Sequence, residues 1–122
     1  MNSIRETEFT DAYIECALWA SSVGPENEGA ENFDLAEEAG TELTRIASIF
    51  EAANARLLEK AYENDRYTPA KAGHDLFLTQ NGHGAGYWDR GLGDVGSKLS
   101  EWAKAEGTCD LYLGDDDKIH VF

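Results

Sequence analysis

At 122 residues, 42% hydrophobic and 28% charged, the chain has the size and balance of one globular domain with a core of its own. Its 24 acidic and 10 basic side chains leave a formal net charge of -14, a field that disfavours direct binding of nucleic acid or anionic lipid and attracts basic proteins, less so as salt rises. The sequence contains no long apolar run and no basic start followed by an apolar stretch, so the expectation is a cytosolic protein without a membrane segment.

In chain order, Phe9, Tyr13, Cys16, Ala20 and Val23 recur every three or four residues and predict a helix over 6–23, with Glu6, Glu8 and Asp11 in its acidic first turns. Gly24-Pro25 stops it, and 24–32 reads as a loop. Asp34 with Glu37 resembles a capping box opening a helical run over 34–64, whose stripe is Leu35, Ala39, Leu43, Ile46, Phe50, Ala53, Leu57 and Ala61. A straight helix of that length would span about 45 Å, so a bend or break is expected near Gly40. Thr68-Pro69 has the form of an N-cap with proline at the first helical position, and Gly73 that of a stop one turn later.

The stretch 72–96 carries two of the three histidines and more than half of the glycines. Leu76 and Leu78 alternate with Asp75, Phe77 and Thr79, which predicts a strand over 74–80; a second over 85–90 contains Tyr87 and Trp88, with a turn at 81–84. Such a hairpin would pair Leu78 with Tyr87, Phe77 with Trp88 and Asp75 with Arg90, and its large apolar side chains on both faces place it inside the protein. A helix over 94–106 follows, with Val95, Leu99, Trp102 and Ala103 on one face and Gly107 closing it. The chain then forms a hairpin of 111–113 and 119–122 around a turn at 114–117, where aspartate tolerates the left-handed backbone. The expected architecture is a single α+β domain over 1–122, order α-α-ββ-α-ββ, with a helical part over 6–64 and a ββαββ part over 74–122 whose two hairpins could share one antiparallel sheet.

The string AGHDLFLTQNGHGAGYWDRGLGDVGSKL, followed by DLYLGDDDKI, resembles a family of small uncharacterised proteins of tailed bacteriophages and prophages; FTDAYIECALWASS fits it more loosely. Together these strings take in 52 of the 122 residues, somewhat under half of the chain. Tyr87 stands where the family pattern has phenylalanine, Leu76-Phe77 where it has an aromatic pair, and Asp117 where it has a turn glycine. The resemblance implies a viral or prophage origin and a location in the bacterial host cytoplasm, and it implies no catalytic residues.

Three functional readings use the remaining residues. A hydrolytic or metal site would gather His74, Asp75, His83, Asp89 and Arg90, with His120 and Asp110, but the His74-Asp75 dyad lacks helical partners and Asp115-Asp116-Asp117 lacks the other ligands of a calcium loop. The competing structural reading pairs Asp75 with Arg90, makes His83 a turn residue and Trp19, Trp88 and Trp102 core residues, with Cys16 and Cys109 as buried reduced thiols. No metal and no cofactor is expected. A small-molecule pocket would use the close approach allowed by Gly82, Gly84 and Gly86, stacking on Tyr87 or Trp88, and a phosphate held by Arg90. The leading reading is a non-enzymatic acidic binder: Glu26, Glu28, Glu31, Asp34, Glu37, Glu38 and Glu42 form a run with no basic residue among them, suited to a basic groove on a host defence or nucleic-acid-processing protein.

Overall fold

The computed structural model describes residues 7–122. Helix α1 (Glu8–Ala20) is opened by Thr7, whose hydroxyl accepts a hydrogen bond from the Thr10 amide at 3.1 Å, with Glu8 and Asp11 in the first turn where the helix dipole favours them. Glu6, expected in that turn, lies outside the described residues. Phe9, Tyr13 and Cys16 are buried as their spacing requires, but Val23 has left the helix. It belongs to β1 (Ser22–Val23), which pairs antiparallel with β2 (Glu28–Gly29) around a turn that begins at Gly24 with φ +75. The expected loop is therefore a small hairpin followed by a 3-10 turn (Ala30–Asn32).

Asp34 does not cap a helix. With Leu35 it forms β3 (Asp34–Leu35), which runs parallel to the last strand, and α2 (Glu37–Ala53) starts after Ala36 with no side-chain cap. Gly40 lies inside the first turns of α2 and leaves it unbroken. The long helical pattern breaks instead at Asn54, before α3 (Ala55–Tyr62). Asn54 is buried, and its side-chain amide donates to the Phe50 carbonyl at 3.1 Å, beside the backbone bond from the Asn54 amide at 3.0 Å. Asparagine thus offers the backbone a local alternative to continued helix.

The centre of the chain departs most from expectation. Thr68 caps and Pro69 opens α4 as predicted, but α4 (Pro69–Gln80) runs through Gly73 to the end of the segment expected as a strand. The second expected strand is a 3-10 turn (Tyr87–Asp89) within an irregular segment, so the central hairpin and its Leu78–Tyr87 and Phe77–Trp88 pairs do not form. Asp75, Leu76, Phe77, Leu78, Thr79 and Gln80 are all buried. Over 75–80 the helix is covered on every side and has no polar face to reveal a 3.6-residue period, and apolar alternation there mimics a strand.

The C-terminal third follows expectation closely: α5 (Asp94–Ala105) ends at Gly107 with φ +78, and β4 (Leu111–Leu113) pairs antiparallel with β5 (Lys118–Val121). Asp117 adopts φ +61 in the turn between them. The fold class is α+β, with five helices and two small sheets among the described residues; the larger sheet has the order β3-β5-β4, so β5 takes β3 as its second partner in place of a central hairpin. Among the described residues no helix is long and apolar enough to cross a membrane.

Helices α1 and α4 pack against each other at the heart of the core. A methyl group on Gly73 would collide with the backbone carbonyl of Phe9, so the absence of a side chain lets the two helix backbones touch. Behind this contact the rings of Phe9, Phe50 and Tyr87 stack in series, each successive pair 6.1 Å apart and nearly parallel, and Tyr13 meets Phe77 edge-on at 5.8 Å. Tyr87 is fully buried and donates to the Ala72 carbonyl at 2.7 Å. The tryptophans are not core residues: Trp19, Trp88 and Trp102 are 63%, 53% and 57% exposed. They sit on outward faces of α1, the 3-10 turn and α5, the positions left after smaller residues fill the interior.

Gly73→Ala should therefore destabilise the protein by about 3 kcal/mol, the upper range for overpacking, despite alanine's better helix propensity. A urea-unfolding midpoint equal to or above that of the parent would show that α1 and α4 do not need this contact. In the same assay Tyr87→Ala should cost about 3–5 kcal/mol, and its sequence neighbour Trp88→Ala no more than about 0.5 kcal/mol; comparable losses would place Trp88 in the core.

Candidate functional site

The largest concentration of functional groups lies where α4 emerges from the core beside α1. Once 69–80 is helical, Lys71, His74 and Asp75 lie on neighbouring positions of one helix face. Asp75 points inward and is 1% exposed, a costly place for a carboxylate without compensation. Arg90 supplies it: Nε lies 3.1 and 3.0 Å from the two carboxylate oxygens, and Nη2 donates to Oδ1 at 2.7 Å. The Tyr67 hydroxyl donates to Oδ2 at 2.7 Å. Burial above all, with the Asp75 charge beside it, pushes the Tyr67 phenol upward in pKa and keeps it a donor. The Asp75 hydrogen bonds likewise hold the Arg90 guanidinium above its ordinary value.

The pairing of Asp75 with Arg90 expected from the sequence is real, although it joins a helix to an irregular segment. It ties the glycine-rich stretch to α4. A second tie forms where the Tyr87 amide donates to Thr79 Oγ1 at 3.1 Å, at a spot where a side chain on Gly86 would clash with that hydroxyl. Gly86 thus serves close packing, as does Gly96 against the Tyr87 carbonyl, whereas a side chain on Gly82, Gly84, Gly91 or Gly93 would meet nothing within 4 Å.

Around the pair opens a cavity of about 460 Å³ lined by Ala12, Glu15, Arg66, Lys71, His74 and Arg90, with Tyr67 and Asp75 in its wall. Lys71 reaches back to donate to the Arg66 carbonyl at 2.6 Å, which holds its ammonium at the rim. An adjoining groove of about 450 Å³ shares Glu15 and His74 and is completed by Leu18, Trp19 and Glu31. The rings of Trp19 and His74 lie 5.9 Å apart at its junction.

Of the residues expected to form a pocket, His74, Asp75 and Arg90 meet here. His83 is exposed and lines a different cleft with Phe77, Asn81 and Cys109. Tyr87 is core, while Trp88 and Asp89 are exposed on the 3-10 turn and line neither cavity. His120 bonds to Asp116 at 3.0 Å and stacks on Tyr112 at 5.4 Å, in the C-terminal hairpin. Among the described residues no group of three or more His, Cys, Asp or Glu side chains is placed to hold a metal ion. Cys16 and Cys109 are buried, and burial, followed by the Asp75 and Glu15 charges, pushes the Cys16 thiol up to about 12, so it is not a nucleophile. Arg66, Tyr67, Lys71 and Glu15 have no site role in the sequence reading, and Trp19 is expected there as a core residue. The helical phase of 69–80, concealed by the apparent strand, is the signal for Lys71 beside His74 and Asp75.

The acidic run is distributed over the turn before β2, β2 itself, the first 3-10 turn, β3 and the first half of α2. Glu26, Glu28, Glu31, Asp34, Glu37 and Glu38 are exposed, whereas Glu42 is partly covered and paired with Arg45 at 2.6 Å. Among the described residues the ion pairs are Glu42–Arg45 and Asp75–Arg90, joined by Asp116–His120 when that histidine is protonated, so the other six carboxylates of the run have no cationic partner there.

Arg90→Ala leaves a buried carboxylate with one neutral donor. It should destabilise the protein by about 3 kcal/mol, the low end for stranding a buried charge because Arg90 is itself partly exposed. Arg90→Lys should recover only part of this, lacking the planar fork. Full recovery by lysine in a denaturant titration would reduce the bidentate geometry to a point-charge effect.

Comparisons with protein-family models, with curated proteins and with solved structures each return no match.

Proposed function

We propose that this chain is a non-enzymatic accessory protein that binds a basic partner protein through its acidic surface. The observation that carries the reading is the exposure of six carboxylates between residues 26 and 38 without cationic partners among the described residues. Exposed charges in a chain of net charge -14 keep their field in solvent, accelerate encounter with a positive surface and lose strength as salt rises. A row of carboxylates can also occupy a groove built for phosphates, which suits a host defence or nucleic-acid-processing protein as the partner and makes the surface a nucleic-acid mimic. The resemblance to phage and prophage proteins supports action in the cytoplasm of a bacterial host. A hydrolytic centre has less support, since His74 and His83 line separate clefts and Asp89 joins neither.

The test is capture of a basic host protein at low salt, followed by charge reversal. Glu28, Glu31, Glu37 and Glu38 all changed to lysine should leave the melting temperature close to that of the parent, because all four are exposed. The variant should capture the same protein at least about tenfold less tightly, and duplex DNA should displace it from the parent. Undiminished capture by the reversed variant, or capture indifferent to salt and DNA, would show that these carboxylates are only solvated.

A further inference from the structure

A second feature, of opposite sign, meets the acidic surface only at Glu31. Three of the chain's ten lysine and arginine side chains, Arg66, Lys71 and Arg90, line the single cavity beside Asp75. The carboxylates lining it are Glu15 and Asp75, and Asp75 is already engaged by Arg90 and Tyr67. Arg90 binds Asp75 through Nε and Nη2, so both N–H groups of Nη1 remain to serve a ligand. Lys71, held by its bond to the Arg66 carbonyl, retains two further donors. The result is a set of hydrogen-bond donors carrying positive charge at one end of the groove.

The other end has different chemistry. Trp19 and Leu18 form an apolar wall with Glu31 at its edge, and Trp19 is largely exposed with its ring close to His74. Exposed indole on a cavity wall is a surface on which a planar ring can stack. Ala12 lines the cationic end, Glu15 lines both parts and Trp19 lines the apolar end, so the groove follows two turns of α1 over about 10 Å. At the junction Glu15 can accept hydrogen bonds from hydroxyl groups and repels a second anionic group placed there. A ligand matched to this sequence of environments has a planar ring, a hydroxylated middle and a single terminal anion. We propose that the groove between α1 and α4 binds a small molecule of the nucleoside monophosphate class, its base on Trp19, its sugar at Glu15 and its phosphate at Arg66, Lys71 and Arg90. The two cavities share Glu15 and His74, and the volume of each lies in the range of small-molecule sites.

Trp88→Phe with Trp102→Phe leaves Trp19 as the sole tryptophan. Both changes fall on exposed residues. Adenosine monophosphate titrated into this variant should change Trp19 fluorescence saturably with Kd below about 1 mM, and calorimetry on the unaltered protein should give the same Kd. Inorganic phosphate should compete, and adenosine should bind at least about tenfold more weakly. Arg66→Gln with Lys71→Gln, two exposed positions, should weaken binding at least about tenfold at an unchanged melting temperature. Absence of saturable binding in both assays would overturn the proposal, as would adenosine binding as tightly as the monophosphate or equal affinity in the Gln variant. A single-stranded oligonucleotide binding more tightly than the monophosphate would assign the groove to nucleic-acid strands and overturn it too.

Discussion

The contact between Gly73 and the Phe9 carbonyl sets the geometry on which the rest of the molecule depends. Because the α1 and α4 backbones touch there, the side chains around the crossing divide into two sets. Phe9, Tyr13, Leu76 and Phe77 turn inward to the aromatic stack, and Ala12, Glu15, Lys71 and His74 turn outward to form the walls of one groove. A glycine in a helix interior costs about 1 kcal/mol against alanine. Here that cost is offset by packing that no larger residue permits.

Asp75 links this packing to the glycine-rich segment. A carboxylate placed on the inner side of α4 needs strong donors, and Arg90 and Tyr67 bring them from opposite ends of the surrounding chain. The ion pair, the Thr79–Tyr87 bond and the burial of Tyr87 behind Phe50 hold an irregular stretch in place without a ladder of backbone hydrogen bonds. The segment that looked most like a catalytic loop is thus a strap over the core. Its chemical by-product is a guanidinium fixed at a cavity mouth with one nitrogen unspent.

Charge is segregated in this molecule. The segment from β2 to the start of α2 is acidic and exposed, while three of the few cationic side chains gather at the α1–α4 groove. Glu31 lines the apolar part of that groove, so the two regions meet at its edge. Long-range attraction of a basic protein and short-range capture of a small anion are compatible, because the first follows the summed field and the second the donors within a few ångströms.

The sequence by itself determined what local chemistry controls. The face of α1 with Phe9, Tyr13 and Cys16, the Thr68-Pro69 start, α5 with its glycine stop, the terminal hairpin with Asp117 in left-handed backbone, and the attraction of Asp75 for Arg90 all follow from periodicity, capping, turn preference or charge. The exposure of the acidic run was legible for the same reason, since isolated carboxylates stay in water. Tertiary structure alone decided the identity of 74–80, because over 75–80 the helix is buried on every side and loses the polar face that would announce it, and Gly73 reads as a stop until the neighbour that requires it is present. The placement of β3 beside β5, the break at Asn54 and the exposure of all three tryptophans were equally closed to local reading. The groove was hidden most completely: Ala12, Glu15 and Trp19 lie some fifty residues or more from Arg66, Lys71 and Arg90, and only the close crossing of two helices makes them one site.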